Sequence, residues 1–264
     1  MAYVIDRFGA SYGSGAVLPT LEGRQPQGTG PVDSSQVKLP GGGAYDWRGA
    51  GEALPEIETV RVRGVWKAAD VAAMEIKLDA LKALCGQRSY LWRSNGALTH
   101  SRLARCLEVD SDLEAGLAAD ALIEMVFELA ATPWIGTARN VGQSLDTSPK
   151  SFTLTNGGNA QVRDVVITVM AVGTAITQIY VVRSGLVEMR WQGTIAPGSS
   201  LVIDTGARSV KLDGADAYDG FSLQAGHIIG DWLRLGPGDN TVLISRTGGG
   251  ATSTGAFVYA DGWK

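Results

Sequence analysis

Apolar residues recur at two spacings along this chain, and the change from one to the other marks its elements. In Glu58-Thr-Val-Arg-Val-Arg-Gly64, Val60 and Val62 fall on one side and Arg61 and Arg63 on the other. Side chains of a strand point alternately to its two faces, so this is a half-buried strand. The spacing then lengthens to three and four at Val71, Met74, Leu78, Leu81 and Leu84 or Cys85. That spacing lays one apolar stripe along a helix, predicted over residues 68–85. Asp70 stands at its positive end and Gly86 supplies a stop. Glu75, Lys77, Asp79 and Lys82 take the wet face. Period two then returns. Ser89-Tyr-Leu-Trp-Arg93 reads as a strand, Asn95-Gly96 as a hairpin turn, and Leu103, Arg105, Leu107 and Val109 as the returning strand. Residues 121–129 have helical propensity. Yet Ile123, Met125, Phe127 and Leu129 alternate with Glu124 and Glu128, which predicts a strand, and Pro133 ends it. Residues 136–150 have the composition of a linker, and a domain boundary is expected there.

From Ser151 onward the pattern predicts strands alone. Phe152-Thr-Leu-Thr155 meets the turn Asn156-Gly-Gly-Asn159. Residues 165–172 are almost continuously apolar and β-branched, which suits a central strand, and residues 176–182 follow. In 187–195, Val187, Met189, Trp191, Gly193 and Ile195 face a core, while Glu188, Arg190, Gln192 and Thr194 face water. Pro197-Gly198, Asp213-Gly214, Asp219-Gly220 and Gly236-Pro-Gly-Asp-Asn240 punctuate the rest at short intervals. Short strands with frequent turns predict a β-sandwich.

Composition supports a mainly β protein. The 264 residues include 35 glycines, with 45% apolar and 19% charged positions. That is enough apolar surface for a core, with glycine for many turns. Residues 9–55 hold eleven of the glycines and five of the prolines and form no long regular element. A loop that long is usually functional or ordered by a partner, which points to assembly. The net charge of −4 carries no basic stripe of the kind a general nucleic-acid binder uses. No apolar run is long enough to span a membrane. The first residues lack a basic region followed by an apolar core, so no signal peptide is expected. Cys85 and Cys106 form no CxxC pair and are expected to be reduced, buried and apolar in behaviour.

Candidate chemistry is sparse. His100 and His227 stand in no motif, and no nucleophile elbow, zinc-protease helix or phosphate loop occurs. Gly41-Gly-Gly43 lacks the following Lys-Ser/Thr and is a turn. Asp213, Asp216 and Asp219 are spaced by three, unlike a calcium loop, and Asp-Gly turns account for two of them. Glu124 and Glu128 could form a hydrolase pair, but they share the wet face of one strand. No catalytic, cofactor or metal residue is assigned, and the chain is not expected to be an enzyme.

The order of these signals resembles the distal tail proteins of long-tailed bacteriophages, a siphovirus tail-component family. The residues that carry the resemblance are Trp191-Gln-Gly193, Gly198 through Asp204, Val210-Lys-Leu-Asp-Gly214 and Trp232-Leu-Arg-Leu-Gly-Pro-Gly-Asp-Asn240. In that family a tryptophan strand and a Pro-Gly-x-Asn turn close a galectin-like sandwich. In the first half, Leu39-Pro40, Ala44-Tyr45-Asp46, the strand ending at Trp66, the helix Leu78-Asp-Ala-Leu-Lys-Ala-Leu-Cys-Gly86, Leu91-Trp92-Arg93, Phe127 and Pro133-Trp134 follow the family's order. The resemblance implies a β-rich ring-forming domain with one main helix over 1–140, its glycine-rich arm at 9–55, and a galectin-like β-sandwich over 151–264. It further implies a homo-hexameric ring at the virion's tail tip, made in the host cytoplasm. That ring would join the tail-tube protein to the tip hub and to receptor-binding or fibre proteins, and DNA would pass through it without specific binding.

The competing expectation is a carbohydrate-binding module of a phage or bacterial surface protein, with Trp191 and Trp232 stacked on sugar. Galectin sugar sites surround the tryptophan with His, Asn, Arg and Glu, and Met189-Arg-Trp-Gln-Gly193 does not reproduce that set. Alternation places Trp191 on the apolar face, so both tryptophans are read as core.

Overall fold

The computed structural model describes residues 4–10, 16–18, 36–38, 44–46, 58–96, 98–113, 120–130, 132–183, 187–223 and 232–263. Most of the arm 9–55, the Gly41-Gly-Gly43 turn and His227 lie outside the described residues. The chain divides into two compact units, Met1–Trp134 and Ile135–Lys264.

The first unit contains β1 (Val4–Phe8), β2 (Ala16–Val17), β3 (Gln36–Lys38), β4 (Ala44–Asp46), β5 (Glu58–Lys67), α1 (Val71–Lys82), β6 (Arg88–Ser94), β7 (Thr99–Leu113) and β8 (Asp120–Leu129). Its main sheet runs β5-β8-β7-β6-β1-β2, antiparallel throughout, and β3 pairs with β4 alone. The segment 121–129 is strand. Ile123, Met125, Phe127 and Leu129 are buried with Val62, while Glu124 and Glu128 lie on the opposite face. Burial of a period-two apolar face outweighs helical propensity here. Phe8 and Phe127 complete this core with ring centroids 5.1 Å apart.

The helix is shorter than expected, Val71–Lys82 against 68–85. Asp70 is its N-cap, extended at φ −156°, and its carboxylate accepts a 2.8 Å hydrogen bond from the Ala73 amide. That satisfies one of the amides left without a partner in the first turn. Met74, Leu78 and Leu81 are buried, but Val71 and Cys85 are exposed. The apolar stripe is thus narrower than its spacing suggested, and Cys85 departs from the expected burial because the chain has already left the helix there. Gly86, at φ +81°, supplies the expected stop. The hairpin at Asn95 closes between Ser94 and Thr99, with the Asn95 side chain accepting from the Leu98 amide at 2.8 Å.

The second unit is a sandwich of two antiparallel sheets. One holds β9 (Trp134–Ser144), β11 (Val166–Met170), β14 (Ser200–Asp204), β15 (Ser209–Leu212), β16 (Ala215–Asp216) and β19 (Thr254–Trp263), in the order β16-β15-β14-β11-β19-β9. The other holds β10 (Lys150–Asn156), β12 (Ile176–Arg183), β13 (Val187–Ile195), β17 (Phe221–Leu223) and β18 (Gly238–Gly248), in the order β10-β18-β12-β13-β17. Inward residues of both sheets form one core, which includes Phe152, Ile179, Met189 and Val242 from one and Ile167, Leu201, Val210 and Phe257 from the other. Phe152 and Phe257 meet edge to face at 5.0 Å.

Two expectations fail in this unit. Residues 136–150 are no linker, for β9 occupies most of them. Most of residues 137–144 are exposed, with Val141 packed against the sandwich core, so the strand shows no apolar period, and its ladder with β19 supplies the order instead. The Trp232 segment is not a strand. Leu235 makes a single bridge to Val162, and Trp232, Leu233 and Leu235 are buried without a ladder.

Candidate functional site

The turn that closes the sandwich is organised by Asn240. Gly238 takes φ +80°, which turns the chain back into β18. Asn240, 2% exposed, then ties the loop together. Its side-chain oxygen accepts from the Gly236 amide at 2.9 Å. Its amide donates to the carbonyls of Gly236 at 2.9 Å, Gly238 at 2.8 Å and Leu154 at 3.2 Å. The Pro-Gly-Asp-Asn sequence is therefore a structural lock, with a buried amide meeting the carbonyls of its own turn and of β10.

Trp191 is 3% exposed and Trp232 5%. The Trp191 indole Nε1 donates to the Ala217 carbonyl at 3.1 Å. Trp232 stacks on Phe221 with centroids 4.6 Å apart and lies 6.3 Å from Tyr218. Neither indole offers an open face on which a sugar ring could stack.

Asp213 and Gly214 sit at φ +49° and +85° and turn β15 into β16. This is the hairpin geometry that Asp-Gly pairs favour. The Asp213 carboxylate accepts from the Ser200 amide at 2.8 Å, and bonds from Ser199 and Ser200 hold it below the usual carboxylate range. Asp216 accepts from the Tyr218 amide at 3.3 Å, and Asp219 lies in the short 3-10 turn Tyr218–Gly220. Asp213 thus ties its hairpin to the start of β14, and Asp216 caps the turn that follows it.

Glu124 receives Arg63 Nε at 2.6 Å and Arg61 Nη1 at 2.8 Å, both from the neighbouring strand β5. The Arg63 hydrogen bond, with Arg61 adding to it, holds the Glu124 carboxyl below its ordinary range. Glu128 is four residues further along the same strand, roughly 13 Å away at the strand rise. Glycosidase carboxyl pairs sit within about 10 Å of each other. His100 is buried on β7, where it pairs with Arg93 of β6.

A different surface stands out in the first unit. The wet face of its main sheet carries large apolar side chains among the charges. Val65 and Leu122 are cross-strand partners, 41% and 49% exposed, directly beside the Arg63–Glu124 pair. Leu107, at the bulge of β7, and Tyr90 on β6 are exposed as well. Further along β7 and β8, an open groove of about 460 Å³ is lined by Arg88, Leu103, Arg105, Glu128 and Leu129. Apolar residues ringed by charge are the usual composition of a protein-binding surface. Residue periodicity contained this signal, since Leu122 interrupts the acidic face of its strand.

Neither a protein-family model nor a curated protein sequence matches the chain. Among solved structures, the Dit protein of SPP1, described as a paradigm of the hub adsorption apparatus in phages that infect Gram-positive hosts, aligns over 97% of both chains. The TM-score is 0.57 and the identity 12%. A chain from the baseplate of phage p2, in its activated conformation with Sr, aligns over 98% of both chains with a TM-score of 0.51 and 8% identity. The chain has a Dit-like fold along nearly its whole length, as the order of its strands and turns indicated.

Proposed function

We propose that this chain is a structural protein of a phage tail tip, a distal tail protein whose copies close into a ring of six. The ring joins the tail tube to the tip hub and host-adsorption apparatus, and DNA passes through it without specific contacts. The first unit forms the ring and the second is the appended sandwich. The observation that carries this reading is the likeness to SPP1 Dit, which takes in both units in one alignment over 97% of each chain. The mixed apolar and charged face around Val65 and Leu122 supports it by offering an association surface in the first unit. Repeated heterologous contacts close into a ring when their rotation closes. Light scattering on the size-separated protein tests the reading. Wild type is expected to run as an oligomer and Leu122→Asp as a folded monomer. Wild type that stays monomeric at all concentrations, and in tail particles as well, contradicts it.

The carbohydrate-binding reading loses its two candidate aromatics to the core, since Trp191 and Trp232 are sealed. A hydrolase built on Glu124 and Glu128 is opposed by their separation along one strand and by the two arginines on Glu124.

A further inference from the structure

The two cysteines, remote in sequence, meet in the first unit. Cys85 lies on the turn that follows α1, and Cys106 lies on β7, after the whole β6–β7 hairpin. The Gly86 amide donates to the Cys106 carbonyl at 2.8 Å, and the Cys106 amide donates to the Gln87 carbonyl at 3.0 Å. These bonds hold the residues just after Cys85 against Cys106 as if the turn were a further strand. Because Gly86 directly follows Cys85, the bond from its amide to the Cys106 carbonyl keeps the Cys85 and Cys106 backbones adjacent. Cys85 is exposed and Cys106 is sealed.

We infer that Cys85 and Cys106 are a latent disulfide site, which a small disulfide of the glutathione class oxidises to an intrachain bond between the end of α1 and β7. The Cys85 thiolate, the one that solvent reaches, attacks a sulfur of the small disulfide. A mixed disulfide forms on Cys85, and one small thiolate leaves. The Cys106 thiolate then attacks the Cys85 sulfur, closing the protein disulfide and releasing the second small thiolate. The two protons lost by the protein thiols end on the two released small thiols, so the protein gives up two electrons and the small disulfide takes them. The order of attack follows from access. Burial, with the neighbouring Cys85 thiol adding to it, pushes the Cys106 thiol up to about 12, which leaves Cys85 as the entry point. Two backbone segments already held together need little movement to reach disulfide geometry. The closed bond restricts the unfolded chain across the β6–β7 hairpin and stabilises the first unit. Under the tail reading, closure would follow release from the reducing host cytoplasm. That timing alone rests on the proposed function; the bond does not.

The test is incubation of the purified full chain with oxidised glutathione, followed by maleimide counting of thiols after denaturation and peptide mapping. The expected result is loss of both thiols, a Cys85–Cys106 linked peptide, monomeric mobility on a non-reducing denaturing gel and a melting temperature raised by roughly 5 °C. Reduction restores both thiols, and Cys85→Ser, a surface change that keeps the fold, abolishes the linked peptide and the shift. A stable glutathione adduct on Cys85 with Cys106 still reduced, chains cross-linked to one another, or two unreacted thiols would each overturn the inference.

Discussion

Asn240, Trp191 and Glu124 show how single side chains divide between holding the fold and facing outward. Asn240 spends its whole amide on four backbone groups. Removing it strands buried carbonyls, so Asn240→Ala should cost about 2–3 kcal/mol in a denaturant titration with an unchanged slope. Trp191 has its ring in the core, and Trp191→Ala should lose roughly 3–5 kcal/mol. The same substitution separates the two readings of the tryptophan. A folded variant of undiminished stability that had lost a glycan-binding activity would make Trp191 a sugar platform. Glu124 carries the pH dependence of the outer face. Its folded carboxyl is held below the ordinary range by Arg63 and Arg61. The stability contributed by these bonds is complete above the unfolded carboxyl range of roughly pH 4–5, and it is lost as pH falls through the lower folded value. Carbon-detected NMR of the Glu124 carboxyl should give a midpoint below that range, moving up in Arg63→Ala. An unmoved midpoint would show that the arginine does not hold it.

Elements differ in how openly their sequences announce them, and the reason is physical. β8 was legible because one face is buried and the other wet, so Ile123, Met125, Phe127 and Leu129 alternate cleanly with Glu124 and Glu128. The core of β13 was legible for the same reason. β9 was not, because most of it is exposed and the few apolar residues that pack, Trp134 and Val141, do not alternate, so its order comes largely from its ladder with β19. The Trp232 segment misled in the opposite direction. Its leucines and tryptophan are buried, but by packing under Phe221 and a single bridge instead of a ladder. The carbonyl clasp of Arg246 had no sequence signal at all. Its guanidinium donates to Leu145 at 2.6 Å, to Gly249 at 2.8 Å and also to Gly248 and Gly250. For the assembly surface, the telling position is Leu122, an exposed leucine opposite Val65 on the face that also carries Glu124 and Glu128. Leu122→Asp should leave the melting temperature nearly unchanged, since the side chain is half in water, and should abolish self-association. A variant that still assembles would move the interface elsewhere in the first unit.

At the scale of the whole molecule, two compact β units carry little organised chemistry among the described residues and much local turn structure. The acidic residues that first suggested a metal serve hairpins and amide caps, and the carboxylate that first suggested hydrolysis is held by two arginines. Under the proposed function, surface and shape would do the work, as in a ring-forming tail component. The acidic balance of the chain also suits a passage through which DNA moves without sticking, since phosphate binding draws on Lys and Arg. Electron microscopy of the purified chain, with native mass measurement on the same sample, addresses the central claim most directly. The account predicts closed rings with six copies and an open centre, with neighbours touching through residues of the first unit. A protein that remains a monomer both alone and within tail particles would contradict it.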